Sequence, residues 1–142
     1  MAKKRAVGRR LPGRLLEEVC WSFTEGPFPD RAAFDAAVRQ YQIDIRESED
    51  SWRPEEVVLP CSEVRITCEF WEEGWAEEEV EPIIHLTADN GTSFTAGELL
   101  FKVHNTVLAQ GNMGDHHFFE GLSRKRTRDP NEAPLYEIDT GS

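Results

Sequence analysis

The chain reads as a single α+β domain, a mostly antiparallel sheet of about five to six strands with two helices packed on one face. Two segments show helical spacing of apolar residues, several others alternate apolar and polar residues with period two, and most of the alternating segments succeed one another without an intervening helix. Strands joined directly pair antiparallel, because a parallel partner needs a long crossover; the element order is then β-α-β-β-β-α-β-β. At 142 residues the chain has the length of one core-forming unit, and no internal repeat divides it.

Residues 1–13 combine cations with Gly8, Pro12 and Gly13 and show no period, so they are expected to form a flexible basic arm, leaving 14–142 as the domain. Over 15–23, Val19, Trp21 and Phe23 alternate with Glu18, Cys20 and Ser22 as in a half-buried strand, although Leu15, Leu16 and Val19 also fit a helix. Gly26-Pro27-Phe28-Pro29 breaks that segment, and the Asp30 carboxylate is placed to cap a helix over 31–43 whose apolar stripe is Phe34, Ala37, Val38 and Tyr41. The polar stretch 46–54, with Trp52 its one large apolar residue, reads as a surface loop.

A short strand at 57–59 follows, and then two alternating segments, 63–72 and 80–88, which predict an antiparallel hairpin with a long polar tip. After the Asn90-Gly91 turn, Thr95 and Glu98 have capping-box spacing, and Phe94 and Leu99 occupy the positions of a hydrophobic staple. The stripe Leu99, Leu100, Val103 and Val107 continues that helix toward a stop at Gly111. Strand character returns over 114–122, followed by a basic loop, 123–134, and a short last strand, 135–138.

Charge is distributed unevenly. The first 14 residues hold six cations and no acid, so the other 128 carry 10 basic against 27 acidic residues, a balance of -17 within a total of -11. Four more cations cluster at Arg124, Lys125, Arg126 and Arg128, and residues 15–123 hold only six cations against 23 acids. Such a body repels nucleic acid and membrane surfaces and attracts cationic partners. The two basic clusters lack the interleaved aromatics of a single-strand platform and are read as screening the acidic body. No apolar run is long enough to span a bilayer, and no secretory leader is visible. Cys20, Cys61 and Cys68 are odd in number and form no CxxC pair, which suits reduced thiols and a cytoplasmic location.

Two constellations could carry function. The first is the segment from Glu69 to Glu81, where Glu69, Glu72, Glu73, Glu77, Glu78, Glu79 and Glu81 surround Trp71 and Trp75 with no cation among them. A rigid aromatic anchor ringed by carboxylates suits docking onto a basic protein; the simpler account is a solvated tip with both indoles folded back. The second is Asp115, His116, His117 and Glu120, whose side chains are metal ligands and acid-base groups. On a strand, however, Asp115 and His117 face one way and His116 and Glu120 the other, and a third ligand would have to come from His85 or His104. HExxH, G-x-S-x-G, Walker A and G-x-G-x-x-G motifs are all absent, so no cofactor is expected. The leading expectation is therefore a non-enzymatic acidic protein-interaction module, such as a bacterial inhibitor or immunity-type protein that binds a basic partner through the hairpin. The alternative is a small metal-assisted enzyme built on the Asp115–Glu120 group.

Overall fold

The computed structural model describes residues 11–24, 27–68, 70–71, 79–80, 83–110, 117–127, 129 and 131–141. Within them lie strands β1 (Arg14–Leu15), β2 (Trp21–Ser22), β3 (Val57–Leu59), β4 (Glu63–Thr67), β5 (Phe70–Trp71), β6 (Glu79–Val80), β7 (Ile83–Thr87), β8 (Phe94–Thr95), β9 (Phe118–Lys125) and β10 (Leu135–Gly141). The two helices are α1 (Arg31–Arg46) and α2 (Ala96–Gln110). The fold is α+β, and no helix of the described residues is long and apolar enough to cross a membrane. The basic arm lies outside the described residues for positions 1–10, as does the expected helix stop at Gly111.

The main sheet has six strands in the order β1-β9-β10-β4-β7, with β2 also paired to β9. All neighbours are antiparallel except β10 and β4, which run parallel with Tyr136 opposite Ile66. The last strand is thus longer than its sequence signal and lies in the interior of the sheet. Tyr136 and Ile138 explain this, since both are buried and face the same core as Val64, Ile66 and Leu122. That core continues without interruption into Phe34 and Val38 of α1 and Leu99, Leu100, Val103 and Val107 of α2, so both helices cover one face. The opposite face carries Glu63, Arg65, His85, Thr87, Lys125 and Glu137, the polar half of each alternation.

The single strand expected over 15–23 is two short strands joined by a turn. Leu16 adopts a left-handed backbone at φ 56°, which takes the chain out of the ladder after β1. Cys20, between the strands, then lacks a sheet partner, and the buried amide of Gln42 replaces one. Its Oε1 accepts the Cys20 N–H at 2.8 Å and its Nε2 donates to the Cys20 carbonyl at 2.5 Å. This contact also explains why α1 continues to Arg46, past the apolar stripe: Gln42 is a buried position disguised as a polar one. Asp30 caps the helix as expected, its Oδ1 accepting the Ala33 N–H at 2.8 Å.

Trp52 is not a surface residue. It is buried, and its indole N–H donates to the Asp35 carbonyl at 3.2 Å, which draws the polar stretch down onto α1. Strand β9 runs further than expected, through Lys125, so Ser123, Arg124 and Lys125 belong to the sheet and not to the basic loop, while positions 114–116 of the expected strand lie outside the described residues. Gly121, with φ +116°, stands opposite Asp139 where the β9–β10 register shifts; a Cβ there would lie 3.1 Å from Glu17 Cα.

At the start of α2, Thr95 Oγ1 accepts the Glu98 N–H at 3.2 Å, and the staple residues Phe94 and Leu99 are both fully buried. The Glu98 carboxylate does not return to the Thr95 N–H as a full capping box would, but takes other partners. It accepts the Asp89 N–H at 2.7 Å and pairs with Lys102 at 2.8 Å, and Lys102 also reaches Asp89 and the Thr87 carbonyl. Burial alone would lower the Lys102 ammonium, but its hydrogen bonds to Asp89 and Glu98 outweigh it and raise the group above its usual range.

Loss of the Thr95 cap in Thr95→Ala should cost about 1 kcal/mol, whereas the cavity left by Leu99→Ala should cost roughly 2 to 4 kcal/mol. Urea denaturation of the two variants measures both. A cap variant as stable as the unmodified protein would show that the strand pairing of β8, and not the Thr95 hydroxyl, holds the helix start.

Candidate functional site

The hairpin expected over 63–72 and 80–88 is present in two ladders. Strands β4 and β7 pair from Glu63 opposite Thr87 to Thr67 opposite Ile83, and β5 and β6 pair Phe70 with Val80 and Trp71 with Glu79. The offset between partners is the same in both ladders, and β5 and β6 form a two-stranded sheet of their own. β7 is the last strand in the order of the main sheet and forms one of its margins. Trp71 and Glu79 are directly opposite in the ladder, while Glu69, Glu72, Glu73, Trp75, Glu77, Glu78 and Glu81 lie outside the described residues.

The histidine segment has a different arrangement. His117 Nδ1 lies 3.0 Å from Ser22 Oγ, which donates onward to Thr24 Oγ1 at 3.1 Å, and the His117 carbonyl accepts the Phe23 N–H at 2.8 Å. The next residues alternate as a strand should, with Phe119 buried and Phe118 and Glu120 exposed. His117 therefore serves to fasten the chain beyond β2 to the start of β9. Asp115 and His116 lie outside the described residues. Among the described residues no group of three or more His, Cys, Asp or Glu side chains is placed to hold a metal ion.

The two histidines that could have supplied a third ligand are engaged elsewhere. His85 sits on the open face, 3.0 Å from Glu63 Oε1. His104 is fully buried in α2, and its Nδ1 accepts the Trp21 indole N–H at 3.0 Å. Rings of Trp21, Phe23, Phe28 and Phe34 surround it at centroid distances of 5.3 to 5.8 Å. The hydrogen bond from Trp21 and the surrounding rings fix the orientation of this imidazole. No disulfide links the three cysteines; Cys68 is buried in the core, and Cys20 and Cys61 are half-buried.

The structure adds a feature that the sequence did not isolate. A cleft of about 940 Å³ opens where the end of β9 meets the segments that precede β4 and β10, with Cys61, Arg124, Lys125, Arg126 and Asn131 in its walls. Tyr136 stands behind it, its phenol donating to the Pro12 carbonyl at 2.6 Å. Burial pushes this phenol up to about 12, Arg124 opposing the shift and Cys61 adding to it.

Comparison with known proteins finds no match to a family model, to a curated protein or to a solved structure.

The Tyr136 shift makes alkaline stability a measurable property. The folded state favours the neutral phenol, so this contribution is fully present below pH 10 and is lost as pH rises toward 12, by about 2 to 3 kcal/mol in all. Chemical denaturation at pH 9 and pH 11 should show a steeper loss for the unmodified protein than for Tyr136→Phe. Equal slopes would mean that the phenolate is accommodated without cost.

Proposed function

We propose that the protein is a non-enzymatic acidic interaction module that binds a basic protein partner through the hairpin spanning 69–81. The observation that carries this reading is the register shared by two ladders, Glu63 opposite Thr87 in one and Trp71 opposite Glu79 in the other, the second of which flanks the glutamate-rich connection. Strand pairing gives a docking segment the rigidity that a loop lacks, and rigidity lowers the entropy lost on binding.

Electrostatics supports the same reading. Seven glutamates without a cation, on a body of -17 between residues 15 and 123, attract a cationic surface over long range and accelerate encounter. Trp71 and Trp75 supply the aromatic anchors on which the lifetime of a complex depends. Small size, acidity and undivided architecture suit an inhibitor or immunity-type role, and three cysteines without a disulfide suit a reducing cytoplasm.

The test begins with proteins retained from a cell lysate by the immobilised chain, in parallel with a Glu77→Lys, Glu78→Lys, Glu79→Lys variant. A basic protein should be held by the first and lost by the second. With that partner purified, the triple reversal should lower the association rate about tenfold or more at low salt, and 1 M salt should do the same as the Debye length falls from ~10 Å to ~3 Å. Trp75→Ala should act mainly on dissociation. Equal retention and equal association rates for the unmodified and reversed chains would eliminate the hairpin as the docking site.

A further inference from the structure

We propose that the cleft at the end of the main sheet binds a phosphate-bearing small molecule of about nucleotide size, independently of the hairpin. The cleft of about 940 Å³ lies at the upper end of the range occupied by ligand pockets. Its walls come from four stretches remote in sequence: Leu11, the segment 60–63, the end of β9 with its continuation to Thr127, and the segment 131–134. Convergence of this kind shapes a concave site without any local motif.

The distribution of charge inside the cleft selects the ligand. Among the described residues two carboxylates line it, and both have other partners: Glu63 has His85 at 3.0 Å and Glu132 has Arg65 at 3.4 Å. Of the three cations, Lys125 is held by Glu137 at 3.4 Å, whereas Arg124 and Arg126 form no ion pair among the described residues. Both residues are exposed and line the cleft. A further cation, Arg65, is bonded through Nε to the Ala133 carbonyl at 2.9 Å, and its Nη2 is the atom that faces Glu132 at 3.4 Å. A concave, net-positive site is thus embedded in a chain whose net charge is -11.

Paired guanidinium groups match the several non-bridging oxygens of a phosphate, which accepts more charge-assisted hydrogen bonds than a carboxylate can. Ser62, Thr127 and Asn131 add hydroxyl and amide groups suited to a sugar, and Leu11, Pro60 and Pro134 add apolar contact area suited to a base or other flat group. The surrounding acidic body opposes a polymer of phosphates that extends beyond the cleft, so the favoured ligand is small.

Calorimetric titration and thermal unfolding at constant ionic strength test the assignment, with ATP and inorganic phosphate as probes. ATP should bind and raise the unfolding temperature, and phosphate should do so more weakly. Combined Arg124→Glu and Arg126→Glu should weaken ATP about a hundredfold, while Arg53→Glu, in a separate cleft, should leave binding unchanged. If the double reversal fails to fold, Arg126→Ala alone, at an exposed position beyond the end of β9, should weaken ATP about tenfold. The proposal is overturned if neither probe binds at about 10 mM, if the substitutions leave ATP affinity unchanged, or if a single-stranded RNA binds more tightly than ATP.

Discussion

The hydrogen bond from the Trp21 indole to His104 is the contact on which the layers of this fold depend. A tryptophan in the interior must find an acceptor for its N–H, and here the acceptor comes from a different layer of the structure. Trp21 belongs to β2, His104 to α2, and Phe34 of α1 packs against both rings at 5.3 and 5.4 Å. One polar contact, enclosed by aromatic rings, therefore ties a short edge strand and both helices to a common point. Only one position of β2 along β9 satisfies it, and that position fixes how far the helices can slide over the sheet.

The parts of the fold legible in the sequence were those whose signals are local. Asp30 and Thr95 mark helix starts because a capping side chain bonds a backbone N–H a few residues away. The 63–87 hairpin is legible because alternation fixes both strand and register. What escaped depends on residues distant in sequence. Gln42 looks like a surface position until Cys20, 22 residues earlier, supplies the backbone groups that it satisfies. Trp52 sits in a polar stretch and is buried only because α1 passes beneath it.

The candidate sites divide along the same line. The glutamates and tryptophans of the hairpin are close together in the chain, so their concentration was visible in the sequence, and the structure contributes the pairing of Trp71 with Glu79. The basic cleft had no such signature, because Leu11, Cys61, Arg124 and Asn131 meet only through tertiary folding. Read along the chain, Arg124 and Arg126 are cations in a polar segment. In space, they line a cleft whose described carboxylates, Glu63 and Glu132, already have partners.

The position of β10 bears on how this protein comes into being. Residues 135–141 follow every other strand in the sequence, yet they lie between β9 and β4. During synthesis the hairpin of β4 and β7 can form early, because its contacts are near neighbours, and β1 and β2 can find β9 once it emerges. The two groups nevertheless remain separate half-sheets, each with an unpaired edge and an apolar face missing Tyr136 and Ile138. Exposed edges of that kind recruit strands from other chains. Strand β10 is thus an internal keystone whose arrival joins two adhesive half-sheets into one.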